Sequence, residues 1–172
     1  MDKEALSLKV HSMTKESMEI TSIAYQDVLT GVKNRYSLYR KMDHLIKHHQ
    51  AFAVVFIDLD NFKGINDRYD HSVGDQYLKA FAKALQETLK ETGEVFRFAG
   101  DEFVGIITQD LTYIDKTLMY REVVSNLELD VEFLGFSCGI AQYPLDASTA
   151  DDLINVADVN MYKVKKIKQI RR

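Results

Sequence analysis

Hydrophobic positions change their period several times along the chain, and each change predicts an element. Ala51–Ile57 (AFAVVFI) is a short, unbroken apolar run, the pattern of a central strand buried on both faces. Ahead of it, Tyr36, Leu38, Tyr39, Met42, Leu45 and Ile46 recur at helical spacing behind Asn34, which predicts a helix capped by Asn34 and running to about His49. Residues 58–73 are polar and turn-rich and read as a loop or irregular helix. Leu78, Phe81, Ala82, Leu85 and Leu89 then form one stripe, predicting a helix from Asp75 to about Lys90. Glu94–Phe98 and Phe103–Thr108 read as short strands with only Ala99 to Glu102 between them, hence a hairpin. A helix over Thr112–Leu127 follows. Val131–Tyr143 then reads as a strand, interrupted by Gly135 and Gly139 and stopped by Pro144. Ser148 or Thr149 caps a last helix that runs to about Lys168.

The order from Asn34 onward is α-β-α-β-β-α-β-α. That predicts an α+β fold, with helices packed on a central, mainly antiparallel sheet. Residues 1–26 carry no Gly or Pro and form an N-terminal helical extension to a domain spanning 27–170. Within it Leu6, Val10, Met13, Ser17, Ile20 and Ala24 alternate spacings of four and three, the a/d seam of a coiled coil with one polar defect. The alternative is an amphipathic helix lying on its own domain. Asp27 to Gly31 breaks the two apart.

Composition adds exclusions. The net charge is −4, from 22 basic and 26 acidic residues, so no global basic field points to nucleic acid. The basic residues gather at the end, in Lys163, Lys165, Lys166, Lys168, Arg171 and Arg172: either a solvated helix terminus or a phosphate-facing edge. Cys138 is the only cysteine and sits in an apolar run, which predicts a buried structural thiol and fits a reducing, cytoplasmic setting. No apolar run approaches the ~20 residues of a membrane-spanning helix. The expectation is a cytoplasmic domain, free or as the cytoplasmic part of a larger membrane-attached protein with an upstream sensory domain.

The chemistry concentrates where strands end. The strand Ala51–Ile57 runs into Asp58-Leu59-Asp60, and the hairpin turn holds Asp101 and Glu102. A half-shielded carboxylate needs a partner or a metal. If the two strands are neighbours, Asp58 and Asp101 converge, and two hard carboxylates with a backbone carbonyl suit Mg²⁺. The competing reading is that turns simply collect Asp and Gly. Gly100 lets backbone approach a phosphate. Lys63 can reach the same sheet end and neutralise phosphate charge, or be a plain surface lysine. Asn66 and Asp75 together can read a guanine edge, with His71 beside them. Alternatively Asp75 caps a helix, Asn66 serves a turn and His71 has no task.

These residues resemble the GGDEF family, the diguanylate cyclases that make cyclic di-GMP from two GTP. Asp27-Val-Leu-Thr-Gly-Val-Lys-Asn-Arg35 is similar to the family's D-x-L-T-G-L-x-N-R. Phe56-Ile-Asp-Leu-Asp-Asn-Phe-Lys-Gly-Ile-Asn-Asp67 follows, with His71, Gly74 and Asp75 in step, then Arg97-Phe-Ala-Gly-Asp-Glu-Phe103, Ser137-Cys-Gly-Ile-Ala141, Ala157-Asp158 and Met161-Tyr162. The resemblance covers roughly Ala24 to Lys168. It implies a palm-like nucleotide-cyclase fold and a homodimer in which two GTP meet. It further implies Asp58, the Leu59 carbonyl and Asp101 on Mg²⁺, or on Mn²⁺ in its place. Asp101 or Glu102 would deprotonate the attacking hydroxyl. Lys63, with amides near Asn61 and Phe62, would hold phosphates, Asn66 and Asp75 guanine, and Lys165 the terminal phosphates, with His71 lining the pocket.

Three departures stand out. Ala99 replaces the motif's first Gly. Asp70 replaces the Gly of Tyr-Gly-His. Gln169 stands where a phosphate-binding Arg is expected, with Lys166 or Lys168 available to compensate. The family's inhibitory product site, Arg-x-x-Asp, is Lys90-Glu-Thr-Gly93 here, so no such site is expected. Two other readings share the fold: a catalytically degenerate module that binds GTP or a partner protein, and a one-chain cyclase making a cyclic mononucleotide.

Overall fold

The computed structural model describes residues 3–112 and 114–171, excepting the side chains of Lys3 and Ser22; Arg172 of the basic tail lies outside them. The element order is α1 (Lys3–Tyr25), α2 (Arg35–Lys47), β1 (Phe52–Leu59), α3 (Phe62–Arg68), α4 (His71–Leu89), β2 (Gly93–Ala99), β3 (Glu102–Ile107), α5 (Lys116–Asn126), β4 (Phe136–Tyr143) and α6 (Ala150–Ile170). The strands form one sheet in the order β2-β3-β1-β4, and every neighbouring pair is antiparallel. This is the α+β architecture expected, with the pairing antiparallel throughout.

Helices cover both faces of the sheet, which explains the unbroken apolar run of β1. Ala53, Val55, Ile57 and Leu59 face one core, shared with Tyr77, Phe81 and Leu85 of α4 and with Met119 and Val123 of α5. Phe52, Val54 and Phe56 face the other, shared with Leu38 and Met42 of α2 and with Leu153, Ala157 and Met161 of α6. Each Val, Leu, Ile, Met or Phe side chain among these, fully buried, contributes roughly 1.5–3 kcal/mol.

Several boundaries differ from the sequence expectation. β1 continues through Asp58 and Leu59, so Asp58 lies inside a strand rather than after one. Residues 58–73 are not one loop: α3 forms within them, and α4 begins at His71 rather than Asp75. The α4 cap is Asp70, whose carboxylate accepts from the Val73 amide at 2.9 Å, so Asp75 is not a cap. Ala99 and Glu102 belong to strands, leaving Gly100 and Asp101 as the turn. α5 starts at Lys116 behind its cap Asp115 rather than at Thr112, and Tyr113 lies outside the described residues. β4 starts at Phe136 rather than Val131: residues 127–135 run as irregular chain whose Leu127, Leu129, Val131 and Phe133 pack on the first core without pairing as a strand.

α1 does not lie on the domain. Leu6, Val10, Met13 and Ile20 of its seam are exposed, which removes the reading of a helix packed on its own domain. No helix among the described residues is long and apolar enough to cross a membrane.

α6 is seated by a missing side chain. A Cβ on Gly139 of β4 would stand 2.1 Å from both the Ala157 carbonyl oxygen and the Met161 amide nitrogen, so helix backbone rests on strand backbone there. Gly139→Ala should therefore displace α6 and destabilise the fold by about 1–3 kcal/mol or more. A clear fall in the urea midpoint is expected; an unchanged midpoint would contradict this packing.

Candidate active site

Antiparallel pairing of β1 with β3 sets Asp58 opposite Glu102, and β4 sets Ser137 on Asp58's other side. The Leu59 amide donates to the Asp101 carbonyl at 3.3 Å, which ties the hairpin turn to the end of β1. The condition for Asp58 and Asp101 to converge is thus met.

Gly100 has φ +43, the left-handed value that favours glycine in a turn, while Ala99 is not among the residues with positive φ. The methyl of Ala99 is exposed and costs the turn nothing in backbone strain. Arg97 then clamps the turn. Its Nε and one terminal nitrogen donate to the Gly100 carbonyl at 3.0 and 2.7 Å, and its other terminal nitrogen to Asp27 Oδ2 at 2.9 Å. Burial pushes the Asp27 carboxyl up, but bonds from the Thr30 hydroxyl and amide and from Arg97 outweigh it and hold that carboxyl below its ordinary range.

α6 supplies the cations. Lys165 forms an ion pair with Asp58, whose side chain is 13% exposed. Lys168 donates to Asp60 Oδ2 at 2.8 Å and to the Phe136 carbonyl. Asp60 is buried and also accepts from the Ser137 hydroxyl at 2.7 Å.

A cavity of about 460 Å³ opens here, lined by Leu59, Asp60, Phe62, Lys63, Asp101, Lys165, Lys168 and Gln169 among others. Of the residues expected at a site, it gathers Leu59, Phe62, Lys63, Asp101 and Lys165, with Asp58 behind Lys165 and Glu102 beside Asp58. Asn66, His71, Asp75 and Gly100 do not line it. Asn66 lies against α4, where a Cβ on Gly74 would come within 2.0 Å of its Oδ1, and His71 and Asp75 are exposed on the first turns of α4. Lys166 sits over the Tyr162 ring, away from the cavity. Lys168 lines the cavity beside Gln169, with its charge engaged by Asp60.

The turn carboxylates are electrostatically strained. Burial, then the neighbouring Asp58 charge, raises the Asp101 carboxyl above its ordinary value. Burial, then Asp58, Asp101 and Asp158, does the same to Glu102. Such a cluster favours a cation. Among the described residues no three His, Cys, Asp or Glu side chains form a metal cage. Asp58, Asp101 and the Leu59 carbonyl nonetheless fit Mg²⁺, which commonly takes one or two carboxylates and completes its shell with water and substrate oxygens.

The sequence assigns no task to Asp27 or Asp60, and it offers Lys168 only as a substitute phosphate contact, not as the partner of Asp60. Asp27 was visible only as a motif position. Its partner Arg97 lies 70 residues away, and the partner of Lys168 lies 108 away, with no local spacing to reveal either.

This fold and site define a nucleotide-cyclase-like domain. Residues 24–171 match the family described as diguanylate cyclase, GGDEF domain, and the chain belongs to that family. The chain is 32% identical to diguanylate cyclase DgcP of Escherichia coli over 98% of its own length and 52% of that protein's. It is also 32% identical to the cyclic di-GMP phosphodiesterase PdeR of the same organism, over 84% of the chain and 23% of that protein. It thus spans about half of the length of the first of these relatives and less than a quarter of the second. The solved GGDEF domain of TpbB from Pseudomonas aeruginosa superposes with a TM-score of 0.68 at 32% identity, covering 83% of this chain and 89% of that one.

The raised carboxyls give a signed pH prediction. Between the unfolded value, near 3.8 for Asp101, and the higher folded value, the native state binds more protons than the unfolded state. Stability therefore falls as pH climbs through that window, and the penalty is full above it. Asp101→Asn should melt at a higher temperature than the parent at pH 7, with the gap closing as pH falls. A lower melting temperature at pH 7 would show that Asp101 is held by attractions rather than strained.

Proposed function

We propose that the chain is a diguanylate cyclase, condensing two GTP into cyclic di-GMP with release of two pyrophosphates in a Mg²⁺-dependent homodimer. The observation that carries this is one cavity lined by Asp101, Lys63 and Lys165, with Asp58 paired to Lys165 and Glu102 set opposite Asp58. Acids that repel each other at the end of a rigid sheet suit a cation, and lysines beside them suit a polyphosphate.

In this reading Asp58, Asp101 and the Leu59 carbonyl hold the metal, which when bound polarises the phosphoryl group and the attacking hydroxyl. Asp101 or Glu102 takes the proton of the 3′-hydroxyl as its oxygen bonds to the α-phosphorus of the other GTP. The bond to pyrophosphate breaks. Lys63 and the Phe62 amide, beside Gly100, support the phosphates. Lys165 leaves Asp58 for the terminal phosphates. Asn66 and Asp75 bind guanine with His71 alongside, at the end of the site formed by α3 and α4. The two GTP belong to two subunits, and the exposed seam of α1 is suited to joining them.

The second reading is a degenerate module that binds GTP or a partner protein without turnover. One observation favours it: Gln169 lines the cavity where the family places an arginine, and Lys168, which lines the same cavity, is engaged by Asp60. Incubation with GTP and Mg²⁺ followed by product chromatography separates the readings. Cyclic di-GMP is expected from the parent and none, at least 10²-fold less, from Asp101→Ala of unchanged fold. GTP binding with no product from the parent would establish the degenerate module, and a cyclic mononucleotide the one-chain cyclase.

Product inhibition through the usual site is not expected. Lys90 pairs with Glu87, and a Cβ on Gly93 would stand 2.1 Å from the Ile106 carbonyl oxygen, so position 93 cannot carry a carboxylate without moving β3. Initial rates should be unchanged by added cyclic di-GMP at concentrations that leave GTP saturating; strong non-competitive inhibition would refute this.

A further inference from the structure

A second cavity, of about 550 Å³, adjoins the site described above at Lys168 and opens at the outer edge of β4, between α5 on one face of the sheet and α6 on the other. β4 ends the sheet, so its outer edge has no strand partner. Phe136 and Cys138 of β4, Tyr120 of α5 and Val164 of α6 form an apolar wall, with the Tyr120 and Phe136 rings stacked at 4.8 Å. Lys116, Arg121 and Lys168 supply its charge, and among the described residues no carboxylate lines it, Asp60 standing behind Lys168 as its ion-pair partner. Burial pushes the Cys138 thiol up to about 11, so the floor offers apolar surface rather than a thiolate.

Size, apolar walls and a few polar groups of one sign are the attributes of a small-molecule pocket. We infer that this cavity binds a small organic anion with a flat apolar body and a single acidic head group, such as an aromatic carboxylate or sulfonate. The body lies against Tyr120 and Val164, in the gap between the two helices, with the buried Phe136 ring backing Tyr120. The head group meets Arg121 and Lys116 at the exposed rim. Lys168 is the wall shared with the first cavity, and its ammonium, held by Asp60, contributes less. Neither Arg121 nor Lys116 has a part in the proposed cyclase reaction, so this site stands or falls apart from it.

The probe is 1-anilinonaphthalene-8-sulfonate, titrated against the folded full chain. The chain contains no tryptophan, so probe emission is read without that background. One saturable site is expected. The neutral N-phenyl-1-naphthylamine, which lacks the sulfonate, should bind about tenfold or more weakly, and Arg121→Glu and Lys116→Glu should each weaken the sulfonate by about tenfold. Val164→Trp, which fills the cavity, should abolish binding. Because that variant can disturb α6, the surface variants carry the decision, with their melting temperatures as controls. Absence of saturable binding, equal binding of the neutral probe, or parent-like affinity in both charge-reversed variants would overturn the proposal.

Discussion

Antiparallel pairing across β1 sets Asp58 against Glu102 on one side and Ser137 on the other, and the Leu59 amide fixes the Asp101 carbonyl at the same end. Nothing in the pairing lets those acids move apart, because β1 is buried by helices on both faces and cannot slide. The like charges must be met from outside the sheet. Lys165 and Lys168 of α6 do so, and α6 can reach them because Gly139 lets its backbone settle on β4. The site's electrostatics thus depend on a close contact between backbones that do not themselves line the cavity.

The balance is incomplete by design of the geometry. Lys165 meets Asp58, and Lys168 with Ser137 meets Asp60, yet Asp101 and Glu102 remain with raised carboxyls. Full pairing would have made a stable, inert ion-pair network. The residual repulsion is what a cation bound with a polyphosphate can relieve, and that relief adds to binding only where the fold holds the acids together beforehand.

Much of this was legible in the sequence, and what was missed has a physical pattern. β1 and the stripe of α4 were plain because tertiary burial coincides with local periodicity there. Asp58 was read outside the strand because acids rarely lie within one, yet here an ion pair compensates it. The start of α4 was misplaced because Gly74 and Asp75 resemble a turn and a cap, whereas Gly74 is helical to leave room for Asn66. Val131 and Phe133 have the alternation of a strand but cover the core as irregular chain, and Gly135, at φ +95, marks where β4 begins. The acids of the site were visible as motifs. Lys165 and Lys168 of α6 were visible as phosphate contacts, but their pairing with Asp58 and Asp60 was not, since a contact between residues more than 100 positions apart leaves no local period.

The turn is also tied to the N-terminal helix. Carbonyls at the end of α1 are taken by the start of α2: Ala24 by the Asn34 side chain at 3.0 Å, and Tyr25 by the Ser37 hydroxyl at 2.7 Å. Two residues past α1, Asp27 holds Arg97, which holds the Gly100 carbonyl beside Asp101. Every bond in this series involves an ionised or directional group, so a rotation of α1 strains it rather than being absorbed by soft packing. The apolar seam of α1, by contrast, is exposed and sets no orientation by itself. The end of α1 and the hairpin turn are thus joined through Asp27 and Arg97, with Asp101 next in the chain after Gly100.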